Sequence, residues 1–192
     1  MNPLFRILRS FGTALVLTIG MASAADAADV SSPVLLVASG ALDGTPFEQA
    51  VVLAAPLPNG GHIGFVVNKP TAVKLQTLFP DDVNARNVTE PVYMGGPQLL
   101  PGLFVIARNA PEGSKALPLM PGLVALLDAA AIDRLLATSP NDARYFVGLM
   151  LWDADELEDQ VGKNVWEVEP ADADTVLRAK APGYGTPCAV RG

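Results

Sequence analysis

The chain is predicted to form an α+β fold, a mixed and mostly antiparallel sheet flanked by a few helices, and two observations carry that expectation. Apolar runs of strand length outnumber helical patterns. Several neighbouring runs are joined by connections too short for the helical crossover that a parallel pair needs. The 192 residues, half of them hydrophobic and few aromatic, suit a single domain with a sizeable core.

The N-terminus reads as an address. Arg6 and Arg9 precede the apolar residues 11–21, and Ala22-Ser23-Ala24-Ala25-Asp26-Ala27-Ala28 follows. This is the order of a secretory signal peptide. Cleavage fits after Ala24 or after Ala27, and the second leaves less small-residue chain before Ser31. The apolar stretch is short for a bilayer span, which favours cleavage over the alternative of a retained anchor. No lipobox cysteine follows it. The expected division is therefore a signal peptide at 1–27, a domain at 28–178 and a disordered Pro/Gly-rich tail at 179–192. The expected location is periplasmic or secreted, with no stable membrane insertion after cleavage.

Within the domain, Val34–Ala38 is a continuous apolar run and the first strand. Ser39 to Pro46 is a loop by its Gly, Pro, Asp and Ser content. Residues 50–55 and 63–67 flank Pro58-Asn59-Gly60-Gly61, which predicts a hairpin. Leu75, Leu78 and Phe79 share a helical face, so a short helix is expected over 72–79, stopped by Pro80. Strands are expected at Pro91–Met94 and at 103–107, with a loop at 112–118. Residues 123–127 fit a strand or a buried helix. Asp128 reads as the N-cap of an Ala- and Leu-rich helix ending at Ser139-Pro140. Residues 145–151 show no alternation, as in a strand buried on both faces. A helix over 154–161, closed by Gly162, and a half-exposed strand at 165–169 complete the set.

Charge narrows the partners. The chain carries 13 basic and 20 acidic residues, a net charge of −7. Without Arg6, Arg9 and Asp26 the mature chain has 11 against 19, or −8. Such a surface repels phosphate backbones and argues against nucleic acid as a partner. Cys188 is the single cysteine, so no internal disulfide forms; an incidental thiol and an intermolecular bridge both stay open.

Two hydrophobic runs end alike in proline: Phe65-Val66-Val67-Asn68-Lys69-Pro70 and Val92-Tyr93-Met94-Gly95-Gly96-Pro97. Proline cannot donate to a ladder, so both turns are expected where a sheet edge meets solvent. Asn68, Lys69, Tyr93, Gly95, Gly96 and Trp152 are the candidate ligand-binding residues of one shallow site. Glycine would admit a ligand to the backbone, Lys69 offers charge, and the aromatics offer apolar area. The competing expectation is that Asn68 fixes a turn, Gly95-Gly96-Pro97 only turns the chain, and Trp152 fills core.

Other chemistry finds little support. His62 is the only histidine, expected to be exposed after the hairpin turn, and no nucleophile elbow surrounds Ser39. The acidic run from Asp153 to Asp159 fails the EF-hand pattern, since Glu158 and Asn164 stand where glycine and glutamate are needed. Asp153 and Glu156 instead have capping-box spacing. No phosphate-binding glycine motif occurs. No catalytic set, metal ligand set or cofactor is therefore expected.

The order of motifs resembles the AlgH/YqgE family of bacterial proteins over residues 34–177. Those motifs are Ala50-Val51-Val52-Leu53, Gly64-Phe65-Val66-Val67-Asn68-Lys69-Pro70-Thr71, Tyr93-Met94-Gly95-Gly96-Pro97, Leu157-Glu158 and Asn164-Val165-Trp166. The resemblance implies a partly barrel-like sheet and a link by name to regulation of exopolysaccharide synthesis, but no agreed activity. Lys69 stands where the family usually has arginine, and Pro56-Leu57 where it often has Glu-His. Leu151-Trp152-Asp153-Ala154-Asp155-Glu156-Leu157-Glu158 replaces a glycine-rich stretch. The expected function is an exported, non-catalytic module that binds a protein or a small anionic ligand. The alternatives are a hydrolase using Asn68, Lys69 and His62, or a transcription-related regulator by family analogy.

Overall fold

The computed structural model describes residues 29–178. The expected signal peptide, the expected tail and Cys188 lie outside them. β1 (Val34–Ala38), β2 (Val51–Pro56) and β3 (His62–Val66) form an antiparallel meander. The β2–β3 hairpin closes through Asn59-Gly60-Gly61, where Gly60 takes φ 86° and Leu57 N donates to Gly61 O at 2.7 Å. β4 (Pro70–Lys74) pairs with β5 (Pro91–Met94). β6 (Gln98–Ala107), β7 (Leu117–Met120), β8 (Leu123–Leu126), β9 (Ala143–Trp152) and β10 (Trp166–Pro170) complete a ten-stranded sheet. Its order is β10-β1-β2-β3-β9-β6-β8-β7, with β5 also beside β9. Only the β5–β9 pair is parallel, so the sheet is mixed, mostly antiparallel, and curled into a half-barrel.

Alternation sorts each strand between an interior and an exterior. Val51, Leu53 and Ala55 of β2 face an inner core with Phe65, Tyr93, Phe104, Ile106 and Phe146. Val52 and Ala54 face an outer layer with Trp152, Leu157 and Trp166. A second outer layer packs Val105 and Tyr145 against Ile132, Leu135 and Leu136 of α2 (Ala129–Thr138). Asp128 caps α2 as expected, its carboxylate accepting from Ala131 N at 3.0 Å. α3 (Glu156–Gly162) docks through buried Leu157 and through Gln160, whose Oε1 accepts from the indoles of Trp152 and Trp166 at 3.1 and 2.9 Å. α4 (Ala173–Arg178) lies over the inner core through Ala173 and Leu177.

Several expectations are corrected. The predicted helix over 72–79 is shorter than expected: residues 72–74 belong to β4, and α1 spans Leu75–Leu78. Strand pairing claims the residues before the stripe, where Thr71 Oγ1 donates to Val92 O at 2.7 Å, and of the stripe only Leu75 is buried. The predicted loop at 112–118 runs into β7, because Leu117 and Pro118 pair with β8. β6 begins at Gln98 rather than 103. Only half of the capping box forms: Glu156 Oε2 accepts from Asp153 N at 3.0 Å, while Asp155, not Asp153, is the residue before α3.

β5 and β6 lie on opposite sides of β9, so the chain between them must cross it. Gly95 N donates to Val147 O and Gly95 O accepts from Val66 N, both at 2.9 Å. A Cβ on Gly96 would stand 2.3 Å from Leu149 O, and one on Gly148 would stand 2.2 Å from Gly96 O. Gly148 also has φ 69°. The crossing works only with glycine on both chains. Gly95 and Gly96 are consequently buried, which corrects their expected place at a solvent-facing edge. Gly148→Ala should therefore cost about 3 kcal/mol or more, the upper end of the usual range, whereas Asp153→Ala should stay within about 0.5 kcal/mol. Urea unfolding of both variants checks this; equal midpoints would contradict it.

Candidate functional site

The structure brings the two proline-ended turns together. Met94 N donates to Lys69 O at 3.0 Å, and Pro70 registers with Tyr93. Asn68, Lys69, Tyr93, Gly95 and Gly96 are thus neighbours along one seam. Trp152 is not among them. It stands six residues beyond Phe146 on β9, about 20 Å at the usual strand rise, and packs in a different layer. Its ring covers Gly64, where a Cβ would meet Trp152 Cζ3 at 2.6 Å.

Most of the seam is occupied by the protein itself. Buried Asn68 accepts from Val51 N at 2.9 Å and donates to Gln49 O at 2.8 Å. It holds the entry to β2 where Gln49 takes φ 57°, rather than fixing its own turn. Lys69 Nζ donates to Glu48 O at 2.7 Å and pins the same segment. The backbone that approaches Gly95 and Gly96 is that of β9. His62 is buried instead of exposed, because it lies within β3; its Nε2 donates to Val30 O at 2.9 Å and its Nδ1 has no hydrogen-bond partner among the described residues. His62 opens β3 and Asn68 lies beyond its other end, so the residues of the hydrolase alternative do not converge.

Beside the seam is a group the sequence reading left out. Arg144, near the start of β9, is 3% exposed. Its Nη1 donates to Val67 O and to Val176 O of α4, both at 3.0 Å. Its guanidinium carbon lies 4.7 Å from the centre of the Tyr93 ring. Its Nε is buried without a hydrogen bond among the described residues and ion-paired with Glu90 Oε2 at 3.4 Å. Tyr93 OH also approaches Glu90 Oε2, at 3.5 Å. The phenol of Tyr93 is raised above the ordinary tyrosine value, first by burial; the Arg144 charge opposes this and Glu90 adds to it. An open cleft of ≈ 200 Å³ begins at Arg144 and is walled by Glu90, Arg108, Asn141, Asp142 and Leu177. Arg108 is ion-paired with Asp174, which also pairs with Arg178 at 2.7 Å. The available signal for Arg144 was a lone charge heading an otherwise apolar run, Arg144-Tyr145-Phe146-Val147. Among the described residues no group of three or more His, Cys, Asp and Glu is placed to hold a metal.

Known proteins share this arrangement of the chain. A family profile described as AlgH-like matches residues 35–184. A UPF0301 protein of Streptomyces coelicolor is 34% identical over 151 residues, spanning 73% of this chain and 77% of its own length. One of Streptomyces avermitilis is 32% identical over 152 residues, again 73% and 77%. The solution structure of the AlgH protein from Pseudomonas aeruginosa superposes with a TM-score of 0.62 at 22% identity, covering 76% of this chain and 80% of that one. A crystal structure from Corynebacterium diphtheriae gives 0.62 at 20% identity, covering 80% and 82%. These structures share the fold.

The raised phenol makes a prediction. Because the folded value of Tyr93 lies above the unfolded 10.0, its contribution to stability is complete below that pH and is lost as pH rises through the folded value. Tyr93→Phe should therefore lose stability less steeply than wild type above about pH 10. Urea unfolding from pH 8 to 11.5 checks this, and parallel curves would contradict it.

Proposed function

This chain belongs to the AlgH-like family, whose molecular function is uncharacterised, and we propose that it acts outside the cytoplasm as a non-catalytic binding domain whose recognition point is the Arg144 cleft. One observation carries the reading: a guanidinium removed from solvent has an Nε with no hydrogen bond among the described residues, held only by a 3.4 Å ion pair to half-exposed Glu90, where a cleft opens. Burying an unsatisfied charged donor costs stability, so such a group is weak evidence for a structural role and better evidence for a functional one. The fork of an arginine suits a carboxylate or phosphate oxygen pair. A small anionic group is therefore the favoured ligand element, and the acidic chain still disfavours nucleic acid. Export rests on the signal-peptide order of residues 1–27. No helix among the described residues is long and apolar enough to cross a membrane.

A protein partner is a second reading. Met94, Leu99 and Leu100 are exposed around the glycine crossing, where Leu100 lies against Gly148. Exposed apolar side chains grouped in this way suit a protein contact.

The test has two arms. The native protein should begin near Ala28 and fractionate outside the cytoplasm; intact Met1 in the cytoplasm would contradict export. In thermal unfolding with acetate, phosphate and free amino acids at millimolar concentration, at least one class should raise the midpoint of wild type, by linkage to the folded state. Arg144→Gln, if folded by circular dichroism, should lose that response. An equal response would place binding elsewhere, and no response by wild type would remove the support for a small-ligand site.

A further inference from the structure

We infer that the ligand class of the Arg144 cleft is a small zwitterion carrying a carboxylate and an ammonium on neighbouring atoms, as in a free α-amino acid. This rests on the cleft being a binding site and goes beyond it by assigning both charges. Arginine carries five N–H donors. Two of those on Arg144 are used by Val67 O and Val176 O, and Nε has no hydrogen bond among the described residues, only the 3.4 Å ion pair with Glu90 that a ligand carboxylate would replace. A carboxylate seated there gains charge-assisted bonds from a donor whose desolvation the fold already bears.

The rest of the cleft is not cationic. Glu90 and Asp142 bring two carboxylates to the wall. The Asp142 carboxylate makes no hydrogen bond or ion pair within the described residues, and Glu90 is 48% exposed on its side chain, so it can turn from Arg144 toward a ligand. Arg108 is already neutralised by Asp174. A simple dianion would meet Arg144 but also two like charges, which costs affinity. A simple cation would meet the acids but also Arg144. A ligand with both charges satisfies both sets. The volume of ≈ 200 Å³ lies below the roughly 300–1,000 Å³ of sites for drug-sized molecules, so the ligand is small. Ala143 and Leu177 supply an apolar flank for a hydrocarbon side chain.

A matched triplet tests the inference: L-leucine, 4-methylpentanoate and isopentylamine, titrated into the mature protein by calorimetry at pH 7. L-leucine should bind at least 10-fold more tightly than either one-charge analogue. Asp142→Asn should erase most of its advantage over 4-methylpentanoate, while Arg144→Lys should erase its advantage over isopentylamine. If 4-methylpentanoate binds as tightly as L-leucine and Arg144→Lys weakens both, the cleft binds anions and the zwitterion inference is overturned. If none of the three binds, or Arg144→Lys changes nothing, the reading of the cleft as a site fails with it. Should Arg144→Lys not fold, Asp142→Asn alone still decides, because an unchanged leucine-to-pentanoate ratio overturns the inference.

Discussion

Two backbones pass in contact at Gly95-Gly96 and Gly148, and the rest of the architecture depends on that passage. It lets β5 and β6 lie on opposite sides of β9, so β9 gains partners on both edges along much of its length. A strand hydrogen-bonded on both sides and covered on both faces must be apolar, and β9 is apolar throughout except at its second residue. The exception is Arg144. The crossing therefore makes β9 central, and a central β9 makes its arginine a buried charge at the mouth of the half-barrel.

Arg144 joins elements that are far apart in sequence. Its two carbonyl acceptors belong to Val67, beyond the end of β3, and to Val176 in α4. Its ring contact is to Tyr93 of β5. A fully apolar side chain at this position would leave two carbonyls without their donor, so some of the guanidinium is structural. The two hydrogen bonds of that role use Nη1 alone. An Nε that makes no hydrogen bond among the described residues, only a 3.4 Å ion pair to exposed Glu90, and the cleft beside it are what a packing role leaves unexplained, and they are the grounds for assigning recognition to this residue.

Much of the frame was legible in the sequence because the signals are local. Val34–Ala38 and Pro91–Met94 are strands by composition and punctuation, and Asp128 announces α2 through a cap that needs no distant contact. In the 72–79 segment the helical period of Leu75, Leu78 and Phe79 marks α1 at Leu75–Leu78, while the residues before it pair with β5, a tertiary fact. The two turns were correctly paired by their shared proline endings, but their glycines serve a crossing that no local rule reveals. An isolated glycine inside the apolar run 145–151 was the clue to a close approach. Trp152 and His62 took core positions, because strand register set their faces. Arg144 escaped notice because a single arginine ahead of a strand usually sits at the surface, and burial is decided by what packs over it.

If the Arg144 cleft is a recognition point, the Nε side of the guanidinium exchanges its Glu90 ion pair for a ligand. The direct measurement is the Nε–Hε resonance of Arg144 in nitrogen-15-labelled mature protein during a titration with L-leucine. The account predicts a saturable shift of that resonance, with backbone shifts gathered at Glu90, Asp142 and Leu177 and none at the Trp152 indole. An unmoved Arg144 resonance at concentrations that saturate any other site would contradict it.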